Sequence, residues 1–179
     1  MIPRLFTERL TLREYRPTDF EPFAAFMADP EVVRFLHGVP MSRADAWRTL
    51  SIMIGHWTMR GYGTWAVERK SDGAFLGRVG LINPEGWPGL EVGWMLGRSY
   101  WGQGYATEAA EAALRYAFLT QPEDRIISLI DPENKPSQAV ARRIGESKGA
   151  RHDIVVGGNS YATDIWTITR QEWRNRQKA

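Results

Sequence analysis

One stretch constrains this chain more than any other: a strand that runs into a glycine loop and comes out as a helix. Residues 90–96 (Leu-Glu-Val-Gly-Trp-Met-Leu) are apolar and β-prone. Gly102 and Gly104 then remove side chains where the backbone must turn sharply or lie against a ligand. Beyond them Ala106, Ala109, Ala110, Ala113, Leu114, Ala117 and Phe118 recur at helical spacing, the pattern of one buried stripe. A glycine loop feeding a helix start aims free N–H groups and the positive end of the helix dipole at one point. That point suits a phosphate.

Two nucleotide motifs can be tested against the loop. A Walker loop needs Lys-Ser or Lys-Thr after its second glycine, and none follows Gly104. The dinucleotide fingerprint needs a third glycine where Thr107 stands, and an acidic residue ending the next strand, for which Asp131 is available. A nicotinamide-binding enzyme is therefore a rival at this stage.

The order of elements weighs against that rival. A first strand is expected over residues 10–15, then a helix over Phe20, Phe23, Ala24 and Met27 that Asp29-Pro30 breaks. After a short helical piece and the loop His37-Gly38-Val39-Pro40, Ser42 caps a longer helix from residue 43 to about 59. Three strand-like runs follow, at 64–69, 75–83 and 90–96, with short connections that make them antiparallel neighbours. After the glycine loop come a helix to about residue 119, a strand at 126–130 parallel to the 90–96 strand, and a short helix at 136–144 stopped by Gly145. A hairpin over 153–156 and 161–169 and a short piece around Trp173 end the chain. Only one strand–helix–strand crossover is clear, where a dinucleotide fold repeats that unit. The pattern is α+β, a single domain over 1–179 with a mixed, mostly antiparallel twisted sheet flanked by helices. Where its antiparallel part gives way to the parallel part, two strands must splay. The backbone groups left unpaired there need partners, which an extended ligand carrying amides would supply.

Composition excludes several classes. With no cysteine there is no disulfide, thiolate metal site or cysteine nucleophile. The net charge of +2 comes from scattered residues, which gives no case for nucleic acid. Charges at Arg4, Glu8 and Arg9 precede any apolar run, so no signal peptide is expected. No run is long enough to span a bilayer, and a soluble cytoplasmic protein is the expectation. The histidines His37, His56 and His152 lack metal spacing, so no metal is expected. Only His37 is a candidate for a substrate pocket. Most tryptophans read as core, with Trp57, Trp65 and Trp94 as candidates to line an acceptor pocket.

The run Trp101-Gly102-Gln103-Gly104-Tyr105-Ala106-Thr107-Glu108-Ala109, followed by Asn134-x-x-Ser137 and a helix ending at Gly145, resembles the GNAT acyltransferases. The similarity covers nearly the whole chain. Thr7 to Arg13 resembles the branch of ribosomal-protein alanine N-acetyltransferases. The resemblance implies a GNAT-like fold splayed at the centre of its sheet, and acetyl-CoA as cosubstrate. The backbone of Met95 and Leu96 would pair with the pantetheine amides. The N–H groups of Trp101, Gly102, Gln103, Gly104, Tyr105 and Ala106, with Thr107 beside them, would hold the pyrophosphate. Asn134 would bond the pantetheine arm, and Ser137 would sit by the sulfur. The chain departs from the family at Trp101, where the wider family often has Arg or Gln; at Ala141, where many members have tyrosine; and at Glu146, where an aromatic is usual.

For the chemistry, a neutral amine must meet a thioester carbonyl while a base removes its proton. Glu91, on the same strand face as Gly93 and Met95, is the candidate base, with solvent exposure or an arginine pair as its plainer role. Ser137 is the candidate donor to the thiolate. The acceptor is a peptide N-terminus or a small-molecule amine, and the protein a monomer or homodimer. The alternative is a non-catalytic acyl-CoA-binding or sensor module.

Overall fold

The computed structural model describes residues 1–36, 38–156 and 158–178. Its strands are β1 (Leu5–Phe6), β2 (Leu10–Arg13), β3 (Thr64–Arg69), β4 (Phe75–Ile82), β5 (Glu91–Leu96), β6 (Arg125–Ile130), β7 (Ser147–Val156) and β8 (Asn159–Thr169). Three helices, α1 (Phe20–Met27), α2 (Pro30–Val33) and α3 (Arg43–Arg60), lie between β2 and β3. The later ones are α4 (Tyr105–Thr120), α5 (Lys135–Ile144) and α6 (Arg170–Arg176). The strands form one open sheet in the order β1-β2-β3-β4-β5-β6-β8-β7. Among the described residues only the β5–β6 pair is parallel.

Local chemistry marks the helix ends. Ser42 accepts the Asp45 N–H at 3.2 Å to start α3, and Gly61, left-handed at φ 75°, ends it. Period-2 alternation then sorts the sheet into two faces. Leu10, Leu12, Val67, Val79, Val92 and Leu96 meet the alanine stripe of α4 on one face. Ala66, Phe75 and Met95 meet Phe23, Met27 and Leu50 of α1 and α3 on the other. Trp57 and Trp65 pack edge-to-face at 4.9 Å inside the α4-side core, so they do not line a pocket. Among the described residues no helix is long and apolar enough to cross a membrane.

Three elements differ from the sequence reading. β2 stops at Arg13, and β1 was not expected because two residues carry no readable period. β7 begins at Ser147 rather than at 153. Its first half, Ser-Lys-Gly-Ala-Arg-His, has no apolar alternation, and its pairing with β8 is imposed from outside, with a register shift between Lys148 and Arg151.

The splay between β5 and β6 positions the site. Their one register pair is Glu91 with Ile127, and the Ile127 N–H donates to Leu90 O at 3.0 Å. One step further on, side chains replace the ladder: Ser128 Oγ donates to Val92 O at 2.7 Å and the Leu129 N–H donates to Glu91 Oε1 at 3.3 Å. Beyond Val92 the two strands part.

Candidate active site

Helix α4 starts without a side-chain cap. Its N-cap is Gly104, left-handed at φ 81°, and the first N–H to bond back is that of Glu108, to Gly104 O at 3.1 Å. Among the described residues the N–H groups of residues 102–107 donate to no loop, turn or cap carbonyl. Trp101 does not belong to this row. Its N–H closes the preceding turn onto Arg98 O at 3.2 Å, and its indole Nε1 donates to Leu96 O at 2.8 Å. Of the expected row, only the N–H groups from Gly102 onward are left without a main-chain acceptor.

The N-terminal segment clamps this loop. Arg9 bonds Gln103 O (Nη1, 2.9 Å) and Glu108 (Nε, 2.7 Å), and its guanidinium lies 4.5 Å over the Tyr105 ring. Thr7 Oγ1 donates to the same Glu108 at 2.6 Å. In the sequence the Thr7–Arg13 run reads as a strand from Leu10 on and carries a resemblance, with no link to this loop. Its partner lies about a hundred residues away, which no local pattern discloses.

A cleft of about 1210 Å³ leads from the loop along the open edge of β5 to the start of α5, with Val32, Phe35 and Leu36 on its far wall. It brings together every expected site residue except Gln103 and Glu91. The phase of the β4–β5 ladder decides which main-chain groups face the cleft. The Gly97 N–H bonds Leu76 O at 2.9 Å, and Arg78 is the register partner of Met95. Alternation then turns the N–H and C=O of Met95 toward β4 and those of Trp94 and Leu96 toward the gap. Of the expected Met95–Leu96 pair only Leu96 turns its main chain to the gap, with Trp94 beside it, and the Leu96 carbonyl already accepts the Trp101 indole.

At the far end Asn134 caps α5, its Oδ1 accepting the Ser137 N–H at 3.1 Å. Ser137 Oγ accepts from Trp94 Nε1 at 3.2 Å, which leaves the hydroxyl proton free to point elsewhere. Trp94, a candidate pocket residue, lines the cleft. His56 lies between Tyr62 O (2.8 Å) and the Asn83 N–H (3.1 Å), a structural role, and His152 is exposed. His37 falls outside the described residues.

Glu91 stands apart from the cleft wall, on the α1–α3 side of the sheet. It is 6 % exposed, and its carboxylate accepts from Trp87 Nε1 at 2.6 Å and from the Leu129 N–H. Burial pushes its carboxyl up to about 7, against the pull of those two bonds and of Arg78. Glu146, in the position where the resemblance led us to expect an aromatic, is buried as well. Its Oε1 lies 3.0 Å from Ser128 Oγ, and its Oε2 has no partner. Burial, with the Glu91 charge adding to it, holds the Glu146 carboxyl well above the usual carboxylate range. A protonated Glu146 donates to Ser128 Oγ, whose own proton goes to Val92 O, so Ser128 is satisfied while Glu146 Oε2 stays without a partner. A raised carboxyl contributes stability that is complete at low pH and is lost as pH climbs through the raised value. Glu146→Gln cannot ionise, so its urea midpoint should exceed that of the wild type at pH 8 and meet it near pH 4.

Residues 9–146 match the acetyltransferase (GNAT) domain family. YkkB of Bacillus subtilis (strain 168) is 36% identical over 151 residues, covering 79% of this chain and 84% of its own. The crystal structure of the acetyltransferase from Agrobacterium tumefaciens str. C58 superposes with a TM-score of 0.82 at 30% identity, over 94% of this chain and 95% of that one. RimL, a ribosomal alpha-N-protein acetyltransferase solved in complex with coenzyme A, shares the fold at a TM-score of 0.74 and 16% identity, over 93% and 98%. A family match across most of the chain, with a relative this similar over most of its length, makes this protein a GNAT-family acetyltransferase.

Proposed function

We propose that this protein moves an acetyl group from acetyl-CoA directly to a primary amine, with no covalent enzyme intermediate. One observation carries the reading: a row of free N–H groups and an open strand edge share one cleft that ends at Ser137. A diphosphate followed by an amide-bearing arm has that sequence of demands. Residues 102–107 hold the diphosphate, and Trp94 and Leu96 meet the arm. The carboxamide nitrogen of Asn134 remains available to it as well, since only Oδ1 caps the helix.

This chain's own groups supply the chemistry. Glu91, in its carboxylate form, takes the amine proton through water, since it does not reach the cleft wall. A gap-facing main-chain N–H near Leu96 that the arm does not use stabilises the developing oxyanion. Ser137, held by Trp94 with its proton free, donates a hydrogen bond to the departing thiolate, and the proton taken from the amine reaches the sulfur through water. Ala141 is buried in a side core with Ile130 and Trp166, so no second acid stands at its position. The acceptor is a small-molecule amine or a peptide α-amine, the class named for RimL.

Calorimetry with coenzyme A and thiol release from acetyl-CoA with a panel of amines test the reading. Micromolar binding with turnover supports it. Binding without turnover on any amine would favour the acyl-CoA-binding module, and stabilisation by NAD alone the nicotinamide enzyme. The cradle carries its own prediction. A Cβ at Gly104 would meet only Arg9 Nη2, at 3.4 Å, so the cost of a side chain there is the left-handed backbone. Gly104→Val should weaken coenzyme A binding about tenfold, as that strain of ~1–2 kcal/mol reshapes the helix start.

A further inference from the structure

The sheet face under α1 and α3 has one row without side chains. Register on β4 and β5 sets Ile82 opposite Glu91, Gly80 opposite Gly93, and Arg78 opposite Met95. The two glycines thus lie between the Glu91 carboxylate and the Arg78 guanidinium. A Cβ at Gly93 would meet nothing nearer than Glu91 Oε1 at 3.6 Å and Ile82 Cδ1 at 3.9 Å, so the space above Gly93 is open, whereas one at Gly80 would meet Gly63 O and Thr64 Cα of the β3 side at 2.5 Å. Gly93 and Arg78 are only half-buried although both strands are interior to the sheet. At the β3 end of the row the Thr64 hydroxyl meets the Tyr15 hydroxyl at 2.8 Å, and Met53 of α3 stands over Tyr15.

Arg78 is an anomaly on this face. Among the described residues no carboxylate pairs with it, and its Nε is shut off from solvent with no acceptor. Burial disfavours its charge, and only Tyr15 and Glu91 oppose that effect. Arg13, the fully buried arginine of the same face, shows the ordinary arrangement, with Asp19 and Glu68 both in contact. A guanidinium left without a partner is costly, and its fork matches a carboxylate bidentately.

We propose that Arg78 sets acceptor specificity by pairing with a carboxylate on the amine substrate, whose nitrogen lies over Gly93 toward Glu91. The substrate class is then an amino-carboxylate, with the acid a few bonds from the nitrogen. Polyamines are disfavoured, because the same guanidinium repels a second cation. This inference rests on the acetyl-transfer reading above.

The test compares free L-amino acids with their carboxamides, and peptides with Asp or Glu at the second position, as acceptors for thiol release from acetyl-CoA. The enzymes are wild type, Arg78→Gln and Arg78→Lys. At least one free acid should exceed its carboxamide in kcat/KM by about tenfold to a hundredfold. In Arg78→Gln that ratio should collapse toward one, mainly through KM, and Arg78→Lys should keep part of it. Acidic peptides outrunning free amino acids would assign the carboxylate to a peptide side chain. Coenzyme A affinity should be the same in all three proteins, which also shows that the variants are folded. Amides used as well as acids by the wild type would overturn the proposal, as would a preference that survives Arg78→Gln, or no acetylation in any panel. A wild type that fails to bind coenzyme A would instead remove the transfer reading, and this one with it.

Discussion

Replacing Glu91 with Gln should lower kcat about a hundredfold to ten-thousandfold, the range expected for loss of a general base. The same variant should lose the rising limb of the wild-type pH profile. Burial holds the Glu91 carboxyl up at about 7. Below that pH it is protonated and cannot accept the amine proton; above it the carboxylate is available, so wild-type activity climbs through pH 7. Folding shows the opposite trend. A raised carboxyl loses its contribution to stability as pH climbs, so Glu91→Gln should be no less stable than wild type at pH 8. A large loss of rate without a loss of stability, measured by steady-state kinetics and urea unfolding on one preparation, separates a base from a strut. A kcat within twofold of wild type would end the proposed role.

Arg13→Ala should cost about 3–5 kcal/mol of stability, because it strands a buried carboxylate. Arg13 and Asp19 are each 3 % exposed at the side chain. The guanidinium spans Asp19 with both Nη atoms (2.7 and 2.8 Å), Glu68 through Nε (2.7 Å) and Glu14 O (3.0 Å). Asp19 in turn accepts the Arg16 N–H at 2.8 Å and so holds the turn that launches α1. For a protein of this length the loss corresponds to a fall in Tm of about 6–20 °C, readable by calorimetry. Because α1 and α3 cover the face that carries Glu91 and Arg78, residual folded Arg13→Ala should also show a weakened acceptor KM.

What was legible in the chain follows from the range of the forces involved. Period-2 runs and short turns foretold β3, β4 and β5 as antiparallel neighbours, and the order of elements foretold the parallel step to β6. Ser42 and Gly145 marked helix ends, because caps and left-handed stops act over three or four residues. The glycine loop and its alanine stripe were visible for the same reason. β1 and the first half of β7 were not, since a partner strand rather than their own residues makes them extended.

The sequence by itself therefore determined the strand–loop–helix unit, the β3–β4–β5 run with its parallel step to β6, and the family. Each of these is carried by local periodicity or by a motif that reads along the chain. Only the tertiary structure decided which groups remain free. It closed the Trp101 N–H onto a turn, turned the main chain of Met95 to β4, buried Glu91 beneath Trp87 and Leu129, and left Arg78 without a carboxylate. Ladder phase, desolvation and unmet hydrogen bonds depend on residues that are far apart in the chain and meet only once it has folded.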